Sequence, residues 1–264
     1  MLIVARPVSY KLGRHKLLSV TTEVPNKGIE QSLGLSVIVP TYNETENIRE
    51  LIERIESSLK GYNFEIVVVD DSSLDGTAEI AEELSKAYGN VKVVKRPKKM
   101  GLASAVLEGV KVARHSFVAV MDADLQHPPE LLPKLFEKAI GGYDLVIASR
   151  YVEGGRAKGW SFFRKLMSKG AVLLAHVLLP RARMVKDPTS GFFVFKKSVV
   201  EGVKFDATNY KLLLEILMRG KYGRVIEVPY VFGVRRRGRS KLGLREVLDY
   251  ALLLLKLRVR TTMT

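Results

Sequence analysis

LSVIVPTYNETENIRELIERIESSLKGYNFEIVVVD, residues 35–70, decides the fold. A short apolar run, LSVIVP, gives way to a stripe at Ile48, Leu51, Ile52, Ile55 and Leu59, spaced for one face of a helix. A second apolar run, FEIVVVD, follows. Strand, helix, strand is the start of a βαβ unit, and the alternation continues. Outward from it come a helix near 75–88, a strand VKVVK (91–95), a helix from about Gly101 to Ala113, a strand FVAVMD (117–122), a helix after Pro129 and a strand DLVIAS (144–149). Strands without a polar face must be covered on both sides, so the pattern predicts an α/β domain with a mostly parallel sheet flanked by helices. Ligands of such sheets bind at the carboxyl ends of the strands.

Those ends carry the polar residues: PTYNE (40–44), DDSS (70–73), DADLQ (122–126) and SRY (149–151). Any one could be a turn or a helix cap, with Asn43 and Asp75 as N-cap candidates. Four at one edge point to a site. Asp122 and Asp124, one residue apart at a strand end, repel each other unless a cation compensates. Hard oxygen donors from Asp and Gln suit Mg²⁺ or Mn²⁺ held largely through substrate phosphates. Glu44, Asp70 and Asp71 could accept hydrogen bonds from a ribose or a base, with Pro40 and Tyr42 as a wall for a ring; for the two aspartates helix capping is the competing role. No G-x-x-x-x-G-K-[ST] or G-x-G-x-x-G follows a strand, which argues against a P-loop and a dinucleotide cofactor.

The chain has 264 residues, 47% of them hydrophobic, enough for a full core. A formal charge of +15 calls for anionic partners, and the lack of cysteine excludes disulfides and thiolate chemistry and fits a cytoplasmic setting. AVLLAHVLLP (171–180) and YALLLLKL (250–257) fall short of the roughly 20 apolar residues of a spanning helix. Either could lie on a membrane. Beyond Tyr151 come a glycine-containing loop, an amphipathic helix around 162–179, the segment KDPTSGFF and a helix near 208–219. The expected division is a loosely ordered basic extension (1–34), a catalytic domain (35–243) and an amphipathic C-terminal helix (244–264). His127, beside two prolines, reads as a turn-ordering residue more than a ligand. Trp160, Phe162 and Phe163, next to Arg164 and Lys165, read as membrane-facing somewhat more than as core.

PTYNE, VVVDDSSLDGT, GLASAV, MDADLQHPPE, SRY, DPTSGFF and RRRGRSKL, in this order over about residues 35–245, resemble the family 2 inverting glycosyltransferases, most closely the branch acting on dolichyl and other polyprenyl phosphates with mannose. The resemblance implies a GT-A type, Rossmann-like fold and mannose transfer from GDP-mannose to dolichyl phosphate with Mg²⁺ or Mn²⁺. Residue by residue it implies nucleotide-sugar contacts at Pro40, Tyr42, Glu44, Asp71, Asp122, Arg235 and Lys241, to which Asp70 is added as a neighbour. It implies metal ligands at Asp124 and Gln126, acceptor-phosphate contacts at Arg150, Arg164 and Ser240, and catalytic roles for Asp122, Arg150 and Arg164. Many relatives carry an acidic or polar residue at Arg239 and continue into membrane-spanning helices. The expected location is therefore a cytoplasmic, peripheral membrane surface, with room for a separate membrane-anchoring partner. Competing readings are a polyprenyl-phosphate glucosyltransferase using a UDP-sugar, a non-catalytic scaffold subunit, and a nucleic-acid-binding protein. Acidic clusters where a nucleic acid would approach argue against the last.

Overall fold

The computed structural model describes residues 33–205, 211–234 and 244–261. Most of the basic extension expected over 1–34, and the run containing Arg235, Arg239, Ser240 and Lys241, lie outside the described residues.

The βαβ reading of the opening stretch holds. β1 (Gly34–Thr41) and β2 (Asn63–Asp70) pair in parallel, with Thr41 opposite Asp70, and α1 (Ile48–Ser58) joins them. The periodic stripe is the buried face of α1: Ile48, Leu51, Ile52 and Ile55 are fully enclosed. α2 (Thr77–Tyr88), β3 (Val91–Lys95), α3 (Leu102–Val112), β4 (Phe117–Val120), a 3₁₀ turn at Pro129–Leu131, α4 (Leu132–Ile140) and β5 (Leu145–Ser149) follow as expected. Side chains alternate across each strand, so Val37 and Val39 face α1, α2 and α4, while Ile38 faces α3 and α6 (Leu212–Arg219). α3 approaches the sheet closely through Gly109, where a Cβ would lie 2.7 Å from an Ile38 methyl. Burying such side chains stabilises by about 1.5–3 kcal/mol each.

The second half is less regular. β6 (Arg156–Ala157) pairs with β9 (Val231–Phe232) as a separate ribbon, and α5 (Phe162–Leu178) follows β6. β7 (Phe193–Lys196) enters the main sheet antiparallel to both β4 and β5, and β8 (Val225–Pro229) pairs parallel with β5. The sheet order is β3-β2-β1-β4-β7-β5-β8, mostly parallel with one reversed strand. α7 (Leu244–Thr261) packs on α5 and α6: Tyr250, Leu253, Leu254 and Leu257 are buried with Ala175, Leu214 and Met218, and the Tyr250 hydroxyl donates to the Ala171 carbonyl at 2.8 Å. The C-terminal helix is thus docked along one stripe.

The order also locates a crevice. From β1 the chain moves through β2 to β3 on one side, then returns to place β4 on β1's other side. Such a reversal opens a cleft at the carboxyl ends. It lies between the loops after β1 and β4, those carrying PTYNE and DADLQ.

Candidate active site

Three non-glycine residues among those described have positive φ, and all lie in loops at the carboxyl ends of strands: Asn43 (57°) after β1, Ser72 (66°) after β2 and Leu125 (61°) after β4. Left-handed backbone is most costly for a bulky residue, and persists where surroundings enforce it. Leu125 turns the chain so that Asp124 Oδ1 accepts the Gln126 N–H at 3.1 Å. Gln126 sends its amide nitrogen to the Gly233 carbonyl at 2.9 Å, which leaves the amide oxygen as an acceptor on the opposite side of the group. Asp124 and Gln126 are buried, whereas the Asp122 side chain is 36% exposed. Two carboxylates and an amide oxygen on one turn are a hard-oxygen set suited to a divalent cation completed by substrate oxygens. No cluster of three or more His, Cys, Asp or Glu suited to a metal occurs among the described residues.

His127 orders this turn, as its position beside two prolines suggested. The Asp122 N–H donates to its Nδ1 at 3.1 Å, which puts the ring proton on Nε2. Burial pushes its pKa below the ordinary value against the pull of Asp122 and Asp124, and the ring stacks on Phe192, centroids 5.3 Å apart.

On the other side of the crevice the carboxylates are already engaged. Asp70 accepts from the Thr41 hydroxyl at 2.9 Å, the Ser73 N–H at 2.8 Å and the Ser73 hydroxyl at 2.6 Å. Asp71 accepts from Arg96 Nη1 and the Met100 and Gly101 N–H groups at 2.8–2.9 Å. Asp70 therefore builds the turn after β2, while Asp71 holds the segment leading into α3. Asn43 does not cap α1; its N–H donates to the Ser73 hydroxyl and its side-chain oxygen accepts from Leu74. Asp75 does accept the Thr77 N–H at the start of α2. Glu44 accepts from the Asn47 amide at 2.8 Å. Pro40 and Tyr42 are half-buried, and the Lys99 ammonium lies 3.5 Å from the centre of the Tyr42 ring.

Arg150, after β5, is held by a residue 37 positions away. Asp187, fully buried, accepts the Arg150 backbone N–H at 2.9 Å, Nε at 2.8 Å and Nη2 at 2.7 Å. Thr189 Oγ1 accepts Nη2 at 3.0 Å. Burial opposes the guanidinium charge, but the Asp187 carboxylate outweighs it and holds the Arg150 pKa above the usual arginine range. The Arg150 and Arg164 guanidinium carbons lie 5.5 and 4.9 Å from the centre of the Trp160 ring, so this indole brings the two arginines together. Trp160 packs on the core against Phe232, centroids 5.5 Å apart; of the three aromatic residues expected to face a membrane, Phe162 (82% exposed) and Phe163 (68%) do protrude.

The two halves meet at the loop 187–191. A Cβ on Gly191 would lie 3.0 Å from Asp122 Oδ2 and 3.1 Å from His127 Cε1, so the loop backbone passes close beside the carboxylate, while Asp187 on the same loop bonds Arg150. Asp122, Asp124, Gln126, Arg150 and Arg164 are thus gathered around one crevice, with Pro40, Tyr42, Glu44, Asp70 and Asp71 along its other wall. Arg235, Ser240 and Lys241 lie outside the described residues. Lys211 was not singled out from sequence, yet its Nζ donates to the Thr189 carbonyl at 3.2 Å. Asp187 and Thr189 stood inside a quoted motif without roles. The only sequence signal for them was a polar DPTSG turn between apolar runs.

The sequence profile of the family described as "Glycosyl transferase family 2" matches residues 36–203. A dolichol-phosphate mannosyltransferase from Pyrococcus furiosus is 53% identical over 218 residues, covering 83% of this chain and 62% of that protein. One from Saccharomyces cerevisiae is 36% identical over 231 residues, covering 83% and 85%. The chain thus spans somewhat less than two thirds of the archaeal relative. Among solved structures, glucosyl-3-phosphoglycerate synthase from Mycobacterium tuberculosis, in complex with Mn²⁺, UDP-glucose and phosphoglyceric acid, superposes with a TM-score of 0.66 at 21% identity, covering 89% of this chain and 83% of that one. Mannosyl-3-phosphoglycerate synthase from Rubrobacter xylanophilus gives 0.64 at 21% identity, covering 89% and 75%.

Proposed function

The chain belongs to glycosyl transferase family 2, and from that premise we propose that it transfers mannose from GDP-mannose to the phosphate of dolichol or another polyprenol, inverting the anomeric centre. One observation carries the reading: a single loop, 187–191, abuts the Asp122 carboxylate on one side and grips Arg150 on the other. Carboxylates that suit a sugar nucleotide and cations that suit a phosphate acceptor therefore face one crevice. The dolichol-phosphate mannosyltransferases among its relatives support mannose as the sugar and dolichol phosphate as the acceptor.

Pro40 and Tyr42 flank the base and Glu44 meets the ribose, while Asp70 and Asp71 act by shaping that wall. Lys99 shares the Tyr42 face and yields it to the ring. Asp124 and the Gln126 oxygen would hold Mg²⁺ or Mn²⁺, which would supply charge to neutralise the departing diphosphate. Asp122, more open than Asp124, faces the sugar. Arg150 and Arg164 orient the acceptor phosphate, whose oxygen is already anionic at neutral pH and attacks the anomeric carbon without a strong general base. The carbon–oxygen bond to the donor diphosphate breaks as the new one to the acceptor phosphate forms, which turns an α-linked donor into a β-linked product. The family resemblance gives Arg235 and Lys241 to the sugar nucleotide and Ser240 to the acceptor phosphate.

The acceptor's hydrocarbon chain needs an apolar bed. No helix among the described residues is long and apolar enough to cross a membrane. Arg164 stands in the first turn of α5, from which Phe162, Phe163, Leu166, Leu173 and Val177 protrude, and α7 adds Leu252, Leu255 and Val259. Lysines 165, 169 and 256 accompany them. An apolar face edged by cations suits an anionic membrane surface. Titration calorimetry with GDP-mannose, GDP-glucose and UDP-glucose, each with Mn²⁺ and with chelator, tests the donor assignment. Metal-dependent preference for GDP-mannose is expected, and preference for UDP-glucose would move the function to a glucosyltransferase.

A further inference from the structure

The Arg150–Asp187 pair poses an electrostatic question. Asp187 and Thr189 take the Nε proton and the Nη2 group, so three of the five guanidinium hydrogen-bonding positions are spent within the protein. The Nη1 edge is left for a ligand. As a unit, moreover, Arg150 with Asp187 carries no net charge. A phosphate monoester carries between one and two negative charges at neutral pH, and a guanidinium backed by a carboxylate attracts it weakly. The pair fixes direction well and supplies little charge.

A second cation stands on the same loop. Lys211 immediately precedes α6, seven of whose residues are buried, so its backbone is fixed. Its Nζ donates to the carbonyl of Thr189, the residue whose hydroxyl accepts from Arg150. The loop is itself pinned from below: Glu227 on β8 accepts the Lys186 N–H at 2.7 Å and the Asp187 N–H at 2.9 Å. Burial, then the nearby Arg150 charge, push the Lys211 pKa below the ordinary lysine value, while Asp122 and Asp187 pull it back. An enclosed ammonium beside another cation is an arrangement that an arriving anion relieves.

Resting on the transfer reaction proposed above, we infer that Lys211 is a ligand of the acceptor phosphate, and that Asp187 and Thr189 hold Arg150 and Lys211 as a preassembled pair around it. Arg150 supplies orientation through its Nη1 edge and Lys211 supplies charge. Asp187 is then a positioning residue. It acts through Arg150 and does not touch the substrate.

The experiment titrates the full chain with a short, water-soluble isoprenyl phosphate and, separately, with GDP-mannose and Mn²⁺, for the wild type and for Lys211→Met, Lys211→Arg and Asp187→Asn. Steady-state transfer to the same phosphate is measured in parallel. Lys211→Met should weaken phosphate binding at least tenfold and raise the acceptor KM alike, leaving donor affinity within twofold; unchanged donor binding also shows that the variant is folded. Lys211→Arg should recover part of the loss. Asp187→Asn should lower kcat more than it raises the acceptor KM, because it loosens direction while removing a negative charge from beside the phosphate site, not a positive one. Phosphate affinity within twofold of wild type in Lys211→Met, or no phosphate binding by the wild type, would overturn the inference. A wild type that binds the phosphate in a Lys211-dependent way yet transfers no mannose would support the inference and refute the transfer reaction.

Discussion

Asp122 and Asp124 are two residues apart and differ in almost every physical respect: one half-open with its backbone N–H on His127, the other buried with an oxygen on the Gln126 N–H. Under the proposed reaction that difference suits the first to the sugar and the second to the cation. Asp124→Ala should abolish metal-dependent donor binding and transfer, and wild-type-like turnover would overturn the metal assignment. Gly191 gives a sharper test. Its φ is not left-handed, so alanine suits the backbone, but a Cβ there presses within about 3 Å of the Asp122 carboxylate and the His127 ring. Gly191→Ala should lower kcat at least tenfold with a change in Tm of a few degrees; equal activity would show that Asp122 tolerates displacement. At this scale the sequence was legible where chemistry was local. D-x-D-x-Q could be read as a cation turn because its donors are neighbours. The roles of Asp187 and Lys211 could not be read, since their partners lie 37 and 22 residues away; the polar DPTSG turn marked the place of Asp187 and not its partner. That Asp70 and Asp71 also accept protein donors was not legible, because sequence cannot say which carboxylates the fold itself engages.

At the scale of elements, the strands and helices up to β5 followed directly from periodicity, since each apolar run had a helix to cross over it. β7 did not. FFVFK has the same alternation whether a strand runs parallel or antiparallel, and only the partners on either side, β4 and β5, set its direction. The join is fastened by Asp144, which accepts from Lys196 Nζ at 2.7 Å at the end of β7 and from the Gly223 and Arg224 N–H groups before β8. The Lys196 hydrogen bond, foremost, and the Arg224 N–H hold its pKa down, from 3.8 to about 2. A depressed carboxylate stabilises the fold above its unfolded pKa and loses that contribution as pH falls through the folded one. Asp144→Asn should therefore lower Tm at pH 7, and the gap from wild type should close between about pH 4 and pH 2. A gap that persists at pH 2 would point to lost packing in place of lost charge. α7, expected as an amphipathic helix, packs one face on the domain. Because Tyr250, Leu253, Leu254 and Leu257 fill a cluster with α5 and α6, deleting residues 244–264 would uncover core as well as any lipid-facing surface. The cleaner variant is Leu252→Ser with Leu255→Ser and Val259→Ser on the exposed stripe, which should weaken sedimentation with anionic vesicles several-fold while sparing donor binding. Unchanged sedimentation would remove α7 from the membrane face.

For the whole molecule, a charge of +15 first read only as a liking for anions. The fold gives part of it an address. Arg150, Arg164 and Lys211 collect beside the crevice, and lysines 165, 169 and 256 lie on the α5–α7 side where apolar residues also protrude. Under the proposed reaction, an anionic sugar nucleotide, an anionic acceptor and an anionic lipid surface would share that side of the protein. Vesicle binding should accordingly weaken between low and physiological salt without vanishing, because the apolar face remains. Salt-independent binding would deny the cations a part. The account stands or falls on the transfer itself. Purified chain, labelled GDP-mannose, a polyprenyl phosphate in detergent and Mn²⁺ should give a lipid-extractable mannosyl phosphate, with none formed in chelator or by Asp124→Ala. Transfer from UDP-glucose in place of GDP-mannose, or no lipid-linked sugar from either donor, would contradict it.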